Sequence, residues 1–166
     1  MKSILEMAQN GILTLDLLEY QPKEKSLPFD IKDGLTHGMI LVEKEFRLFL
    51  SQMDWEFFRG KPVAVVCTED AIVPQWAFMA ISAKLQGIAS EIALATPDQL
   101  NFRLWRESIE LSDFSHLKGQ RVVVQQNSHI APELYMSITK KLKPWVAALF
   151  YGEAGLPKVI YKRKEK

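Results

Sequence analysis

Val63, Ala64, Val65, Val66 and Cys67 form an unbroken apolar run near the start of residues 61–85, KPVAVVCTEDAIVPQWAFMAISAKL. A strand with one wet face alternates apolar and polar residues. A continuous run therefore predicts a strand buried on both faces, as in a parallel sheet. Pro62 suits the start of that strand, where one amide can stay unpaired. After Thr68, Glu69 and Asp70, Pro74 suits a helix start, because its fixed φ fits and its missing N–H had no partner there anyway. The following residues 76–83 are apolar nearly all round, which predicts a largely buried helix. A strand, a polar turn and a helix in this order are half of a βαβ unit.

The rest of the chain repeats the alternation. Residues 12–17 alternate as an amphipathic strand, and residues 21–28 (QPKEKSLP) form a polar, proline-flanked loop. Phe29, Asp30 and Ile31 read as a short strand before a turn at Asp33-Gly34, and residues 39–42 are another short apolar run. Phe46, Phe49 and Leu50 fall at helical spacing, with Glu43 and Glu45 in a first turn favoured by the helix dipole. Residues 92–95 are a strand. Thr96 as N-cap, Pro97 and Asp98 then start a helix that runs to about Glu110. Strands at 122–124 and 146–150 flank a helix begun by Pro132, and residues 159–162 add an edge strand. The expected fold is a three-layer α/β/α sandwich with a mostly parallel sheet and short antiparallel edge strands, in a single domain spanning 1–166.

An internal echo supports this order. The segment DWEFFRGKPVAVV from Asp54 matches DFSHLKGQRVVVQ from Asp113, about 59 positions later. Ile72-Val73-Pro74 answers Ile130-Ala131-Pro132, and Lys84-Leu85 answers Lys141-Leu142. Two βα units can share generic chemistry, but the aligned Pro and Lys-Leu positions favour a βαβ pseudo-repeat. On that basis the two valine strands are expected side by side in one sheet, with their loops opening onto a shared hollow.

Ligands of open α/β sheets bind beyond the carboxyl ends of the strands. Those ends carry Cys67, Thr68, Glu69 and Asp70, then Thr96 and Asp98, then Gln126, Asn127, Ser128 and His129, then Tyr151, Gly152 and Glu153; of these, Cys67, Thr68, Glu69, Asp70, Asn127, His129 and Glu153 are the candidate ligand-binding residues. Glu69 and Asp70 make a cation, amine or metal a better local match there than a bare phosphate, and a small molecule or cation is the expected ligand. A thiol beside a helix start can have a lowered pKa, although most free cysteines are small buried core residues. Asp70 serves equally as a general base or a loop cap. Cys67, His129 and Asp70 would suit nucleophilic catalysis only if they meet in space. No GxGxxG, Walker, GxSxG, HExxH or CxxC motif occurs, so the residues name neither a reaction nor a cofactor.

Composition narrows the setting. The single cysteine, Cys67, excludes an internal disulfide and fits a reducing compartment. The first residues lack the apolar core of a signal peptide, and no run approaches a membrane span, so a cytoplasmic protein without a membrane partner is expected. Charge is uneven: residues 1–117 hold 11 Lys/Arg against 17 Asp/Glu, and residues 118–166 hold 10 against 3. A solvated helix face and tail explain the basic excess most simply. The absence of any RNA-recognition, helix-turn-helix or zinc-finger signature argues against nucleic acid. Charge asymmetry and four tryptophans leave a non-enzymatic, homo-oligomeric interaction module as the alternative to ligand binding.

The segments FDIKD (residues 29–33), DAIVPQWAFM (70–79) and YGE (151–153) resemble an uncharacterised bacterial family found mainly in Bacteroidetes, domain of unknown function 2480. The resemblance covers nearly the whole chain and implies a bacterial cytoplasmic protein of unassigned activity. It also implies cysteines, in many members, at the positions of Asn127 and Gly155, which with Cys67 would make a metal or redox cluster. Only Cys67 is kept here. That cluster is broken, and any metal would need Asp70 or His129.

Overall fold

The computed structural model describes residues 6–7, 11–153 and 155–164. Strands β1 (Glu6–Met7), β2 (Ile12–Leu15) and β3 (Leu27–Asp30) precede helix α1 (Glu43–Gln52). Then come β4 (Pro62–Val66), α2 (Gln75–Leu85), β5 (Glu91–Leu94) and α3 (Pro97–Leu111). The chain ends with β6 (Arg121–Gln125), α4 (Pro132–Leu142), β7 (Ala148–Gly152) and β8 (Lys158–Lys162). The α/β class, the mostly parallel pairing and the antiparallel edge strands are as expected.

The strands form two sheets. One has the order β1-β2-β6-β7-β8, the other β3-β4-β5. The expectation that the two valine strands share a sheet is therefore corrected. The reason is geometric: β4 is paired on both sides by β3 and β5, and β6 on both sides by β2 and β7, so neither has an edge open to the other. The chain divides into two compact units accordingly. A continuous unit comprises Lys23–Arg103. A discontinuous unit comprises the residues up to Pro22 and those from Leu104 onward.

In the continuous unit, Val63 and Val65 of β4 pack with Phe29, Ile31, Phe46, Leu50 and Phe58 and with Ala77, Ile81 and Leu85 of α2. The spacing of those three α2 residues is one helical stripe. The sequence predicted burial nearly all round, but Met79 is 73% exposed and Phe78 only half-buried, because a single stripe meets the sheet. The α3 start is a reciprocal capping box: the Gln99 amide donates to Thr96 Oγ1 (3.3 Å) and the Thr96 amide donates to Gln99 Oε1 (2.9 Å). The apolar run at 39–42 is not a strand. Met39, Ile40 and Val42 are exposed, and only an isolated bridge joins Thr36 to Ile40.

In the discontinuous unit, Val122, Val123 and Val124 of β6 are buried, as are Leu134, Ile138 and Leu142 of α4. Ile12, Val123, Ala148 and Phe150 form one apolar cluster of this sheet. The Trp105 indole donates to the Leu17 carbonyl at 2.9 Å, tying α3 to the turn after β2.

The pseudo-repeat extends further than the sequence echo. Each unit has a strand, an aspartate-capped 3-10 turn, a helix, a second 3-10 turn, a parallel strand, an 11-residue helix and a third parallel strand. The first turns are capped by Asp16 and Asp30, which accept from the amides two residues on. The second are capped the same way by Asp54 and Asp113. Gly60 and Gly119 follow with φ of +70° and +75°, and their amides donate to Ile88 and Trp145, just past the next helix. Ser90 donates back to Lys61 as Ala147 does to Gln120. One architecture occurs twice, and the continuous unit is inserted in the other after its first turn, the chain passing back at Leu104 within α3.

Candidate functional site

Each unit places polar side chains at the carboxyl ends of its parallel strands, and the two ends are built differently.

In the continuous unit the centre is Asp30, the last residue of β3. Its carboxylate accepts from the Lys32 amide (3.1 Å), the Thr68 amide (3.1 Å) and the Thr68 hydroxyl (2.6 Å), with Lys32 Nζ at 3.6 Å. Burial opposes ionisation of this carboxyl. The Thr68 hydroxyl, the two amides and the Lys32 charge together outweigh it and hold the pKa below the usual value. Asp30 and Thr68 thus fasten the end of β3 to the end of β4. The half-buried Cys67 thiol donates to the Glu69 carbonyl at 3.3 Å, so it is engaged with its own loop. Glu69 and Asp70 are exposed. Among the described residues, no three His, Cys, Asp or Glu side chains gather closely enough to hold a metal ion.

In the discontinuous unit the centre is Tyr135, in the first turns of α4. The Asn127 amide donates to its hydroxyl at 2.9 Å. The hydroxyl reaches the carbonyls of Gln125 (3.1 Å) and Asn127 (3.3 Å) as acceptors for its own proton. Burial raises the Tyr135 pKa, against the Asn127 amide bond that lowers it, so the phenol is neutral. Asn127 Oδ1 accepts from the His129 amide at 2.9 Å, which fixes the loop as an Asx turn and leaves the His129 residue exposed. The Tyr151 ring of β7 meets the Tyr135 ring edge to face, with centroids 5.4 Å apart at 80°.

Tyr135, Tyr151 and Asn127 line a cavity of about 400 Å³. Val124, Leu149 and Ile138 contribute apolar surface, and Asn127, Ser128 and Thr139 contribute polar groups. Among the described residues, no charged side chain lines it. A smaller hollow of about 170 Å³ also borders Tyr151 and is lined by Gln126, Gly152, Glu153, Leu156 and Lys158. Gly152 has a φ of +120°, a region closed to L side chains, and its carbonyl accepts from the Gln126 amide at 3.3 Å.

Of the residues singled out from sequence, Cys67, Thr68, Glu69 and Asp70 lie in one unit and Asn127, His129 and Glu153 in the other. Asn127 borders the larger cavity and Glu153 the smaller one. Tyr151 was among the residues read at the strand ends, whereas Asp30 and Tyr135 were not. An aspartate closing a short apolar strand, present in both LTLD and LPFD, was the available signal for Asp30. Nothing in the sequence separates Tyr135 from Phe78, its counterpart in the other unit, except the hydroxyl itself.

No helix among the described residues is long and apolar enough to cross a membrane. No curated protein matches the chain, and no solved structure does. A family model described as "Protein of unknown function (DUF2480)" matches residues 2–163, the segment that carries both units and both strand ends, and the chain belongs to that family.

Proposed function

We propose that the discontinuous unit binds a small molecule through a flat, uncharged ring, seated in the cavity bordered by Tyr135 and Tyr151. One observation carries this: a hollow of about 400 Å³, within the range of small-molecule sites, where the Tyr135 ring, anchored through its hydroxyl, and the Tyr151 ring meet at 80°. A planar ring gains edge-to-face contact in such a corner without reordering it. The lack of charged side chains among the described lining residues favours a neutral ring system over a phosphate or a bare cation. Asn127, Ser128 and the Tyr151 hydroxyl supply directional contacts, since the Tyr135 hydroxyl is occupied by the backbone.

Thermal unfolding with indole as probe tests this. Binding to the folded state raises Tm as free ligand exceeds Kd. The expected result is a concentration-dependent rise in the native chain that disappears in Thr139→Phe, whose new ring fills the cavity. Thr139 is half-buried, so its unliganded Tm reports whether the variant folds. No rise in the native chain, or an equal rise in a folded Thr139→Phe, would contradict the proposal.

A further inference from the structure

The two hollows that border Tyr151 differ in a way that specifies the ligand beyond its ring. The larger is uncharged and mostly apolar. The smaller holds one anion, Glu153, one cation, Lys158, and the Gln126 amide. Glu153 and Lys158 are both exposed, and neither forms an ion pair with another described residue, so both charges are available to a ligand. The backbone of the smaller hollow is tied across two strands: Gly152 lies at positive φ, and its carbonyl accepts from the Gln126 amide.

We infer that the two hollows are one composite site for an aromatic amphiphile whose ring enters the uncharged cavity and whose end carries both an ammonium and a carboxylate. The ammonium faces Glu153 and the carboxylate faces Lys158. The inference rests on the cavity reading above and adds the head group to it. A head bearing a single charge leaves one side chain of the smaller hollow unmatched. A doubly anionic head, such as a phosphate, meets Glu153 with the wrong sign. The chemical class is that of a free aromatic amino acid or a close derivative.

Titration calorimetry with four probes separates the parts: indole, tryptamine, indole-3-propionate and L-tryptophan. The expected order places L-tryptophan at least tenfold tighter than indole, with the singly charged probes between. Glu153→Gln is expected to weaken tryptamine and L-tryptophan several-fold and to leave indole unchanged. Lys158→Met is expected to do the same for indole-3-propionate and L-tryptophan. If indole binds but all four probes bind alike, or neither substitution changes any of them, the composite site is wrong while the cavity stands. If neither indole nor any derivative binds, both are wrong.

Discussion

At the scale of single residues, the two strand ends show how one short polar side chain is put to different uses. Asp30 accepts three hydrogen bonds and is 14% exposed, so its carboxylate is held more tightly than a surface group. Its folded pKa lies below its unfolded one. The stability it contributes is therefore fully present above the unfolded pKa and is lost as pH falls through the folded pKa. Thr68→Val removes the shortest of these bonds. It is expected to cost about 1 kcal/mol at neutral pH, as hydrogen bonds to charged groups do when solvent reaches one partner. Urea unfolding across an acid series checks this: the gap between native and Thr68→Val chains should narrow as Asp30 takes up its proton. A gap that persists unchanged in acid would show that the packing of Thr68, and not the Asp30 charge, matters.

At the scale of elements, the duplicated connection between 3-10 turn and strand depends on Gly60 and Gly119. Both lie at positive φ, and a Cβ at either would meet nothing within 4 Å. Any cost of alanine there is purely conformational, about 1–2 kcal/mol. Gly60→Ala and Gly119→Ala are expected to lose similar amounts of stability by urea unfolding. A stabilising effect, as alanine gives where φ permits it, would contradict the duplicated turn. These elements were legible in the sequence. The buried strands came from unbroken valine runs, the α3 start from Thr96-Pro97-Asp98, and the repeat from the shared aspartate, glycine and proline positions. The exposure of Met79 was not legible, since a helix apolar all round does not declare which stripe meets a sheet.

At the scale of the whole chain, the sequence favoured a single sheet because two valine-rich strands resemble neighbours. What it could not show is that each strand already has two parallel partners of its own, from β3 and β5 or from β2 and β7. Strand partnership depends on pairings between distant residues, in β2 and β6 more than a hundred positions apart, such as Leu13 with Val122, which no local pattern records. The same limit hid the site. Asn127 and Glu153 were found because they end strands, whereas Tyr135 acquires its role only when α4 brings its hydroxyl back to the loop. The most direct test is an amide-resolved NMR titration of the full chain with indole. Shifts concentrated at Asn127, Ser128, Tyr135 and Tyr151, with Cys67, Thr68, Glu69 and Asp70 unmoved, are the predicted result. No shifts at those four positions, or shifts centred on Cys67 and its loop, would contradict it.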